Sequence, residues 1–447
     1  MPAMSERGAQ TEVATATRGW GMRFRVREWL DRSWLVVPAV YVVAAVALGK
    51  IVPELEGDST ADPLGLNLNA DNAREILNAV AGGMIAFTGL VVSVAVVVVQ
   101  FGAGQYSPRL VLRFRRDLVV KHALGIFIAP ALYALVTLGT IGQEAAPGPG
   151  VTVGLAIALL VAAVLAFFTL VARLLDLLRP RRLYGQLLAG CEGAIDQVYP
   201  LPFDPGAAAP PALPEVTSTV TYDGGGGVVS ALDRGRMVQA AQRSGAVVES
   251  ALAVGGYVWP GAPLVRIRGG DGRIPETELR RSIIVAEERT LVQDPAFAIR
   301  AIVDISIRAL SPATNDPTTG AQALDTLESI LHLLSRRHLG AGYVHDEAGE
   351  LRLVYHAPDW QDLLELSLTE IRAYGASAHQ VARRMRAVLE GLEQAVPPER
   401  QAAVTAQLTL LAAAVDRAYD DPAERALASQ ADHVGLGGPA GALMRHR

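Results

Sequence analysis

The chain has 447 residues, 51% of them hydrophobic, and a formal net charge of −5. This length predicts roughly two to three domains, and the hydrophobic fraction favours a membrane protein. The weakly acidic charge gives no support for nucleic-acid binding, and the single cysteine, Cys191, excludes a disulfide framework and a cysteine zinc cluster.

Apolar segments that are long enough to cross a bilayer occupy residues 34–52, 79–99, 123–141 and 151–172. Arginine-rich clusters precede the first, separate the second from the third and follow the fourth, whereas the other two loops are acidic or nearly uncharged. Because positively charged loops remain on the cytoplasmic side, this pattern predicts a multi-pass protein of the bacterial plasma (inner) membrane with both termini cytoplasmic. The same clusters predict contact with anionic lipid headgroups.

The second span carries one face of small and polar residues. Their spacing of three, four or seven residues places them on the same side of a helix: Gly82, Ala86, Gly89, Ser93 and Gln100. The opposite side is apolar, so one side can meet lipid while the other meets backbone or water. Two interpretations remain open, because such a face can line a pore in a homo-oligomer or pack helices in a protein that does not conduct.

Chemistry of other kinds has little support in the sequence. Apart from Lys50, no ionisable residue lies inside the predicted spans, which disfavours a proton-relay transporter. The sequence contains no GxxxxGK[ST], HExxH or GxSxG motif, and its eight histidines show no metal-ligand spacing. We therefore expect no enzyme activity, no cofactor and no metal site.

The predicted organisation is an α-helical membrane protein with four transmembrane helices, followed by a cytoplasmic α+β region. In chain order we expect a disordered tail (1–17), the membrane domain (18–183), a linker helix with a proline-rich link (184–214), a small β module (215–270), a mainly helical domain (271–433) with a hairpin at 342–356, and a disordered tail (434–447).

The β module has a rhythm of glycine, valine, proline and isoleucine that resembles the barrel-sandwich arrangement of biotinyl and lipoyl carrier domains. It is expected to contain strands at 246–254 and 257–267, joined at Gly255-Gly256. No lysine occupies a hairpin tip, so we interpret the module as a structural or gate element rather than a carrier. A helix, with or without a break, is predicted over 276–292.

The densest polar stretch of the cytoplasmic region follows. Asp294-Pro295 and Asp316-Pro317 each place a capping aspartate before a proline, which predicts helices over 295–310 and 317–334. Arg300, Asp304 and Arg308 stand four apart on the first of these. They suit either an ion-pair stripe with a polar network of Glu288, Arg289 and Asn315, or a charged conduit or an anion or partner site near the membrane. The candidate cytoplasmic polar motif comprises Arg289, Gln293, Asp294, Arg300, Asp304, Arg308, Ser311, Asn315 and Asp316.

A second candidate region is the junction QYSPRLVLRFRRD at 105–117, with Gln105, Ser107, Pro108, Arg109 and Arg113. Together with the stretch RTLVQDPAF…NDPTTGAQAL at 289–324, it resembles the bacterial predicted membrane protein family known as domain of unknown function 2254. That family usually has a glycine after QDPAF and Gly-Ile before NDP, where this chain has Ala298 and Ala313-Thr314. The resemblance implies a four-span protein with a cytoplasmic domain and implies no activity.

Two functional hypotheses follow. The first is an oligomeric ion channel or pore, lined by the second span and regulated by the cytoplasmic domain. The second is a membrane scaffold or sensor that does not conduct and whose cytoplasmic domain binds a partner or small ligand. The expected partners are the lipid bilayer, further copies of the chain, and ions or a cytoplasmic ligand, with no nucleic acid.

Overall fold

The computed structural model describes residues 33–56, 69–105, 117–140, 149–177, 179–206, 210–271 and 274–437. The chain divides into two compact units, an N-terminal unit within residues 25–179 and a C-terminal unit that begins at Pro180. The predicted N-terminal tail, 1–17, lies outside the described residues.

The N-terminal unit contains four helices that are long and apolar enough to cross a membrane, as predicted: α1 (Val36–Glu56), α2 (Ala70–Gln105), α3 (Leu118–Leu138) and α4 (Gly150–Leu177). Helix α2 begins well before the predicted span at 79, because its polar first turns remain helical. The Asn69 side chain accepts a hydrogen bond from the Asn72 N–H at 2.8 Å and so supports that early start.

Helix α3 is the central helix of this unit. Half of its most apolar stretch is buried, against 11–17% in the other three helices. It packs against α1, α2 and α4, and Phe127 is fully buried. The Phe87 ring meets the rings of Phe127 and Phe167 edge to face, at centroid distances of 5.8 and 5.3 Å. These aromatic contacts join α2, α3 and α4 into one core.

The C-terminal unit contains two β-sheets. Its strands are β1 (Val216–Thr221), β2 (Gly227–Leu232), β3 (Ala246–Ser250), β4 (Tyr257–Val258), β5 (Pro263–Gly269), β6 (Ile283–Ala286), β7 (Gly342–His345) and β8 (Leu351–Tyr355). One sheet has the order β1-β5-β3-β8-β7 and the other the order β4-β2-β6. All pairs are antiparallel except β3 with β8.

Two predictions about the strands are wrong. The strand expected at 257–267 divides into β4 and β5, which lie in different sheets, because the chain turns at Gly261 (φ +85°), whose N–H donates to the Tyr222 carbonyl. The helix expected over 276–292 ends at Arg281, and residues 283–286 pair with β2. The β-branched run there favours a strand once a partner edge is present. The barrel-sandwich arrangement is not confirmed, since β7 and β8 complete the five-stranded sheet.

The helices of this unit are α5 (Pro180–Val198), α6 (Arg234–Ser244), α7 (Glu276–Arg281), α8 (Pro295–Ala309), α9 (Pro317–Leu334), α10 (Trp360–Gly375), α11 (His379–Ala395), α12 (Pro398–Ala418) and α13 (Pro422–Ala428). Helix α6 packs on β3 and β8, while α8 contacts α5, α9 and α10. The helices predicted at 295–310 and 317–334 are confirmed to within one residue, and β7 and β8 confirm the hairpin.

Part of the predicted C-terminal tail is ordered by hydrogen bonds. The Asp432 carboxylate accepts from the N–H groups of Val434, Gly435 and Gly437 at 2.6–3.1 Å. Arg383 of α11 donates to the Gly437 carbonyl at 3.0 Å. Residues 434–437 therefore pack on α11, and residues 438–447 lie outside the described residues.

Candidate functional sites

The small-residue face of α2 lies on the outside of the N-terminal unit. All five of its members are exposed: Gly82, Ala86, Gly89, Ser93 and Gln100. A Cβ added at Gly82 or Gly89 would meet no neighbouring atom within 4 Å. The Ser93 hydroxyl donates to the Gly89 carbonyl of its own helix at 2.9 Å. In the described part of the chain, this face therefore has no packing partner.

The opposite side of α2 faces the other spans rather than lipid. Leu77, Met84 and Val91 on that side are at most 2% exposed, and α2 packs against α3 and α4. Thr88 donates from the same side to the Phe127 carbonyl at 3.2 Å. The inward side thus holds the bundle together, which leaves the small-residue face for contacts outside the unit.

Glu56, the last residue of α1, caps the N-terminus of α4. Its carboxylate accepts hydrogen bonds from the N–H groups of Val151 and Thr152 at 2.7 and 2.9 Å, and from the Thr152 hydroxyl. Glu56 is only 7% exposed. Backbone N–H groups at a helix start need acceptors and favour a negative charge. Sequence reasoning placed Glu56 in an acidic loop, and the only available signal was the missing capping side chain before Gly150.

A second polar cluster lies at the N-terminus of α3. Asp117 accepts from the Val119 N–H at 2.9 Å, and Arg173 of α4 lies 2.7 Å from the same carboxylate. Lys121, one turn later, is 2% exposed and has a polar partner. The helices are longer than the predicted apolar segments, so they include the buried charges of Glu56 and Lys121, whereas Lys50 is exposed.

The junction predicted after α2 falls largely outside the described residues. Gln105 is the last residue of α2, but its side chain is not described. The other four candidates there, Ser107, Pro108, Arg109 and Arg113, also lie outside the described residues.

Gln293 and Asp294 connect the three-stranded sheet to α8. Gln293 binds both backbone groups of Leu232, since its Oε1 accepts from the N–H at 2.9 Å and its Nε2 donates to the carbonyl at 3.3 Å. Asp294 Oδ1 accepts from the Phe297 N–H at 2.9 Å and caps α8. These residues therefore tie the end of β2 to the start of α8.

The second carboxylate oxygen of Asp294 is buried without a hydrogen-bond partner among the described residues. Arg289 Nη1 lies 3.8 Å away, and Arg289 Nη2 donates to the Gly255 carbonyl at 2.6 Å. A Cβ at Gly255, whose φ is +89°, would come within 2.6 Å of Asp294 Oδ2. Burial raises the pKa of Asp294 to about 6, against the lowering effects of Arg289 and the Phe297 N–H.

The charged stripe on α8 divides into a pair and a separate arginine. Arg300 binds Asp304 on its own helix at 2.6 Å and Glu370 of α10 at 2.9 Å. Hydrogen bonding to Glu370 is the main reason that the pKa of Arg300 is raised, and the same contact lowers the pKa of Glu370. Arg308 forms no ion pair with any described residue. The sequence held no sign of Glu370, which is 70 residues away along the chain.

Ser311, Asn315 and Asp316 form the turn between α8 and α9. The Ser311 hydroxyl donates to the Arg308 carbonyl at 2.7 Å, and Asn315 adopts a left-handed conformation with φ +47°. Asp316 accepts from the N–H and the hydroxyl of Thr319 at 3.1 and 2.6 Å. The structure does not bring Asn315 and Arg289 into one network, and these three residues shape the helix connection.

A buried ionic cluster on the five-stranded sheet was not among the predicted sites. Glu249 of β3 is 4% exposed and binds Arg268 at 2.6 Å, with Arg266 and His356 each 3.1 Å away. Burial raises the pKa of Glu249, but hydrogen bonds from Arg268 and His356 outweigh it and leave that pKa below its usual value. The period-two spacing of the two arginines on β5 was a signal in the sequence.

Groups suited to metal or thiol chemistry are sparse in the described ranges. No three His, Cys, Asp or Glu side chains there are placed to hold a metal ion. Cys191 is buried in α5 with its Sγ 3.8 Å from the Pro295 carbonyl. Burial raises the pKa of this thiol to about 12, so it remains protonated and unreactive near neutral pH.

Comparison with known proteins places most of the chain in one family. Uncharacterised proteins of Mycobacterium bovis and Mycobacterium tuberculosis are each 28% identical to it over 434 residues, which cover 92% of this chain and 82% of theirs. No solved structure matches the chain significantly. Residues 31–391 match the family described as predicted membrane protein (DUF2254), a range that includes both resemblance motifs. The chain therefore belongs to the DUF2254 family of predicted membrane proteins.

Proposed function

We propose that this protein is an oligomeric ion channel or pore of the bacterial plasma membrane, with the small-residue face of α2 lining the pathway. Both termini lie in the cytoplasm in this proposal, and the C-terminal unit with its sheets regulates conduction. The observation that carries the proposal is the outward position of Gly82, Ala86, Gly89, Ser93 and Gln100, which the other spans of the chain leave exposed.

Helix association in lipid supports this use of the face. Lipid is as apolar as the side chains, so helices associate through close packing and polar contacts rather than through the hydrophobic effect. Gly82 and Gly89 allow another backbone to approach, since nothing lies within 4 Å of a Cβ at either position. The exposed Gln100 amide is costly against hydrocarbon and is better satisfied by water or a neighbouring helix. A pore of this kind needs no charged residue.

One contact favours the alternative, a scaffold or sensor that does not conduct. The Ser93 hydroxyl is already satisfied by the Gly89 carbonyl, so it does not require water in a pathway. The face could then serve for helix packing alone, while the C-terminal unit binds a partner or a small ligand.

Reconstitution of the full chain in a planar bilayer distinguishes the two functions. We expect single-channel currents under voltage or tension, and we expect Gly89→Leu to reduce or abolish them because leucine fills the face. Val94→Leu is the matched control, since Val94 is also exposed on α2 but lies outside the small-residue face.

A silent wild-type protein, with Gly89→Leu changing the size of the oligomer but no current, would contradict the channel and support the scaffold. Equal effects of the two leucine substitutions on current would contradict the assignment of this face as the pathway.

A further inference from the structure

The middle of helix α12, in the C-terminal unit, has an outward face without charge. Fourteen consecutive residues, from Ala402 to Val415, include no charged side chain. The inward side buries Val404, Leu411 and Val415. The outward side consists of alanine, threonine and leucine, and Leu410 at its centre is 46% exposed.

This composition is unusual for a helix face in water. Exposed helix faces are normally charged or polar, and the neighbouring α11 follows that rule with a pair between Arg386 and Glu390 at 2.8 Å. On α12 the positions of one stripe are Ala406, Leu410 and Ala413, which stand three and four residues apart. Small side chains on such a stripe allow another helix to approach closely.

The same stripe ends in opposite charges. Glu399 stands seven residues before Ala406 and Arg417 four residues after Ala413, so the two are 18 residues, or about five turns, apart on one face. Both side chains are exposed, and neither forms an ion pair with a described residue. The charge of Arg417 also acts on Arg372. Burial is the main cause that lowers the pKa of Arg372, and the positive charge of Arg417 is the second.

We infer that this face pairs with the same face of a second copy, with the two α12 helices antiparallel across a two-fold axis. Reversal of the helix about position 408 superposes Glu399 on Arg417 and Ala406 on Leu410. Each copy therefore places its Glu399 beside Arg417 of the second copy, and its Leu410 over the small Ala406. A two-fold interface must be complementary to itself, and this stripe fulfils that condition in both charge and size.

This pairing does not depend on the proposed channel. It uses the C-terminal unit alone, and it would hold equally for a scaffold. A crosslink at α12 reports on it whether or not α2 associates or conducts.

Cysteine crosslinking of the full chain in membranes tests the pairing. The only natural cysteine, Cys191, is fully buried, so new cysteines on α12 report without background. Two differently tagged copies are co-expressed, one with Ala406→Cys and the other with Leu410→Cys. We expect a disulfide between the two tags under mild oxidation, and we expect it to persist when Gly89→Leu is added to both copies.

Leu410→Glu added to the copy with Ala406→Cys should reduce the crosslink with an otherwise unchanged Leu410→Cys copy at least tenfold, because a charge then enters the centre of the interface. Leu333→Glu is the matched control, since Leu333 is an exposed leucine (37%) on a different helix, α9. The control should leave the crosslink unchanged.

Charge exchange tests the antiparallel arrangement. Glu399→Arg or Arg417→Glu alone, in both copies, should weaken the crosslink several-fold, and the two together should restore it. Absence of the 406–410 crosslink in the starting pair, or its survival with Leu410→Glu, would overturn the inference, and the face would then be covered by another segment of the chain or by another protein. Failure of the double exchange to rescue would overturn the antiparallel register.

Discussion

Helices α2 and α12 both turn small, uncharged residues away from their own unit, yet the two faces meet different solvents. The face of α2 belongs to a helix that is long and apolar enough to cross a membrane, and in a single, unassociated copy lipid solvates its alanine and glycines without penalty. The face of α12 belongs to a unit that folds around its own sheets and helices, where exposed leucine is unfavourable in water. Association of the α2 face with another helix therefore depends on close packing. Association of the α12 face is driven by the hydrophobic effect.

Two carboxylate caps, one in each unit, differ in how many of their oxygens are bound. Glu56 uses both oxygens at the start of α4, whereas Asp294 uses one oxygen at the start of α8 and leaves the other buried without a hydrogen bond among the described residues. Because burial of Asp294 raises its pKa, we expect the stability of the C-terminal unit to depend on pH through this cap.

The largest expected effect concerns the inward side of α12. Arg400 is 6% exposed and donates to the carbonyls of Leu334 and Arg337 at 2.8 and 2.6 Å. Arg400→Ala leaves both acceptors without this donor, so we expect the C-terminal unit to lose about 4 kcal/mol of unfolding free energy. Urea unfolding of the full chain in nanodiscs, followed by tryptophan fluorescence, measures the loss.

Arg417→Ala is the control for Arg400→Ala, because it makes the same change on the outward side of the same helix. We expect a change below about 0.5 kcal/mol under conditions that keep the chain monomeric. Similar losses for the two variants would contradict the distinction between inward and outward sides.

The second effect is the pH dependence caused by Asp294. Its pKa is about 6 in the folded chain, against the ordinary aspartate value of 3.8, so the folded state binds the proton more tightly. Stability is then greatest below about pH 4 and falls as the pH rises to about 6, by on the order of 2 to 3 kcal/mol for this group. Hydrogen exchange of α8 across this range, corrected for intrinsic rates, measures the fall.

Asp294→Asn should remove this fall, because asparagine also caps helices and has no charge to bury. Asp316→Asn, the equivalent change at the cap of α9, is the matched control and should leave the fall in place. A wild-type profile that is flat between pH 4 and 6 would show that Asp294 Oδ2 finds a partner in solution.

The smallest expected effect is the difference between a valine-to-alanine substitution in α12 and the same substitution in α2. Val404 of α12 and Val91 of α2 are both inward and at most 2% exposed. Val404→Ala should cost about 2 kcal/mol, since it loses both packing and transfer from water. Val91→Ala should cost about 1 kcal/mol, since the alternative surroundings are lipid and only packing is lost.

Urea unfolding for α12 and titration with denaturing detergent for α2 give the two values for valine. Gly82→Ala, on the outward face of α2, should be neutral or slightly stabilising, because a methyl group there meets no atom. Equal losses of unfolding free energy for Val404→Ala and Val91→Ala would contradict the premise that lipid surrounds Val91 once the helix contacts of α2 are lost.

Features that depend on a few neighbouring residues were predictable from the sequence. The four membrane helices follow from apolar length, and α8 and α9 begin at Asp-Pro pairs whose caps are confirmed by the Phe297 and Thr319 N–H groups. The small-residue face was recognised from helical spacing. Its position outside the bundle was not predictable, because the sequence does not show which side α3 and α4 cover.

Features that join distant segments could not be predicted. Glu370 binds Arg300 from another helix, and β7 and β8 join a sheet whose other strands end no later than Gly269, 73 residues before Gly342. The strand β6 was mistaken for helix because its partner β2 decides its conformation. In each case a tertiary contact overrides or adds to the local preference.

The bond between Glu56 and the start of α4 has a consequence for the order of biogenesis. The two ends are 95 residues apart, so at ordinary rates of synthesis about ten seconds separate their emergence from the ribosome. During that interval the carboxylate of the first helix stays hydrated at the membrane surface, and it leaves water only when the fourth helix arrives. Insertion of the last helix is thus the step that completes the N-terminal unit. In a nascent chain halted before Gly150, the first helix lacks the hydrogen bonds between Glu56 and the start of α4.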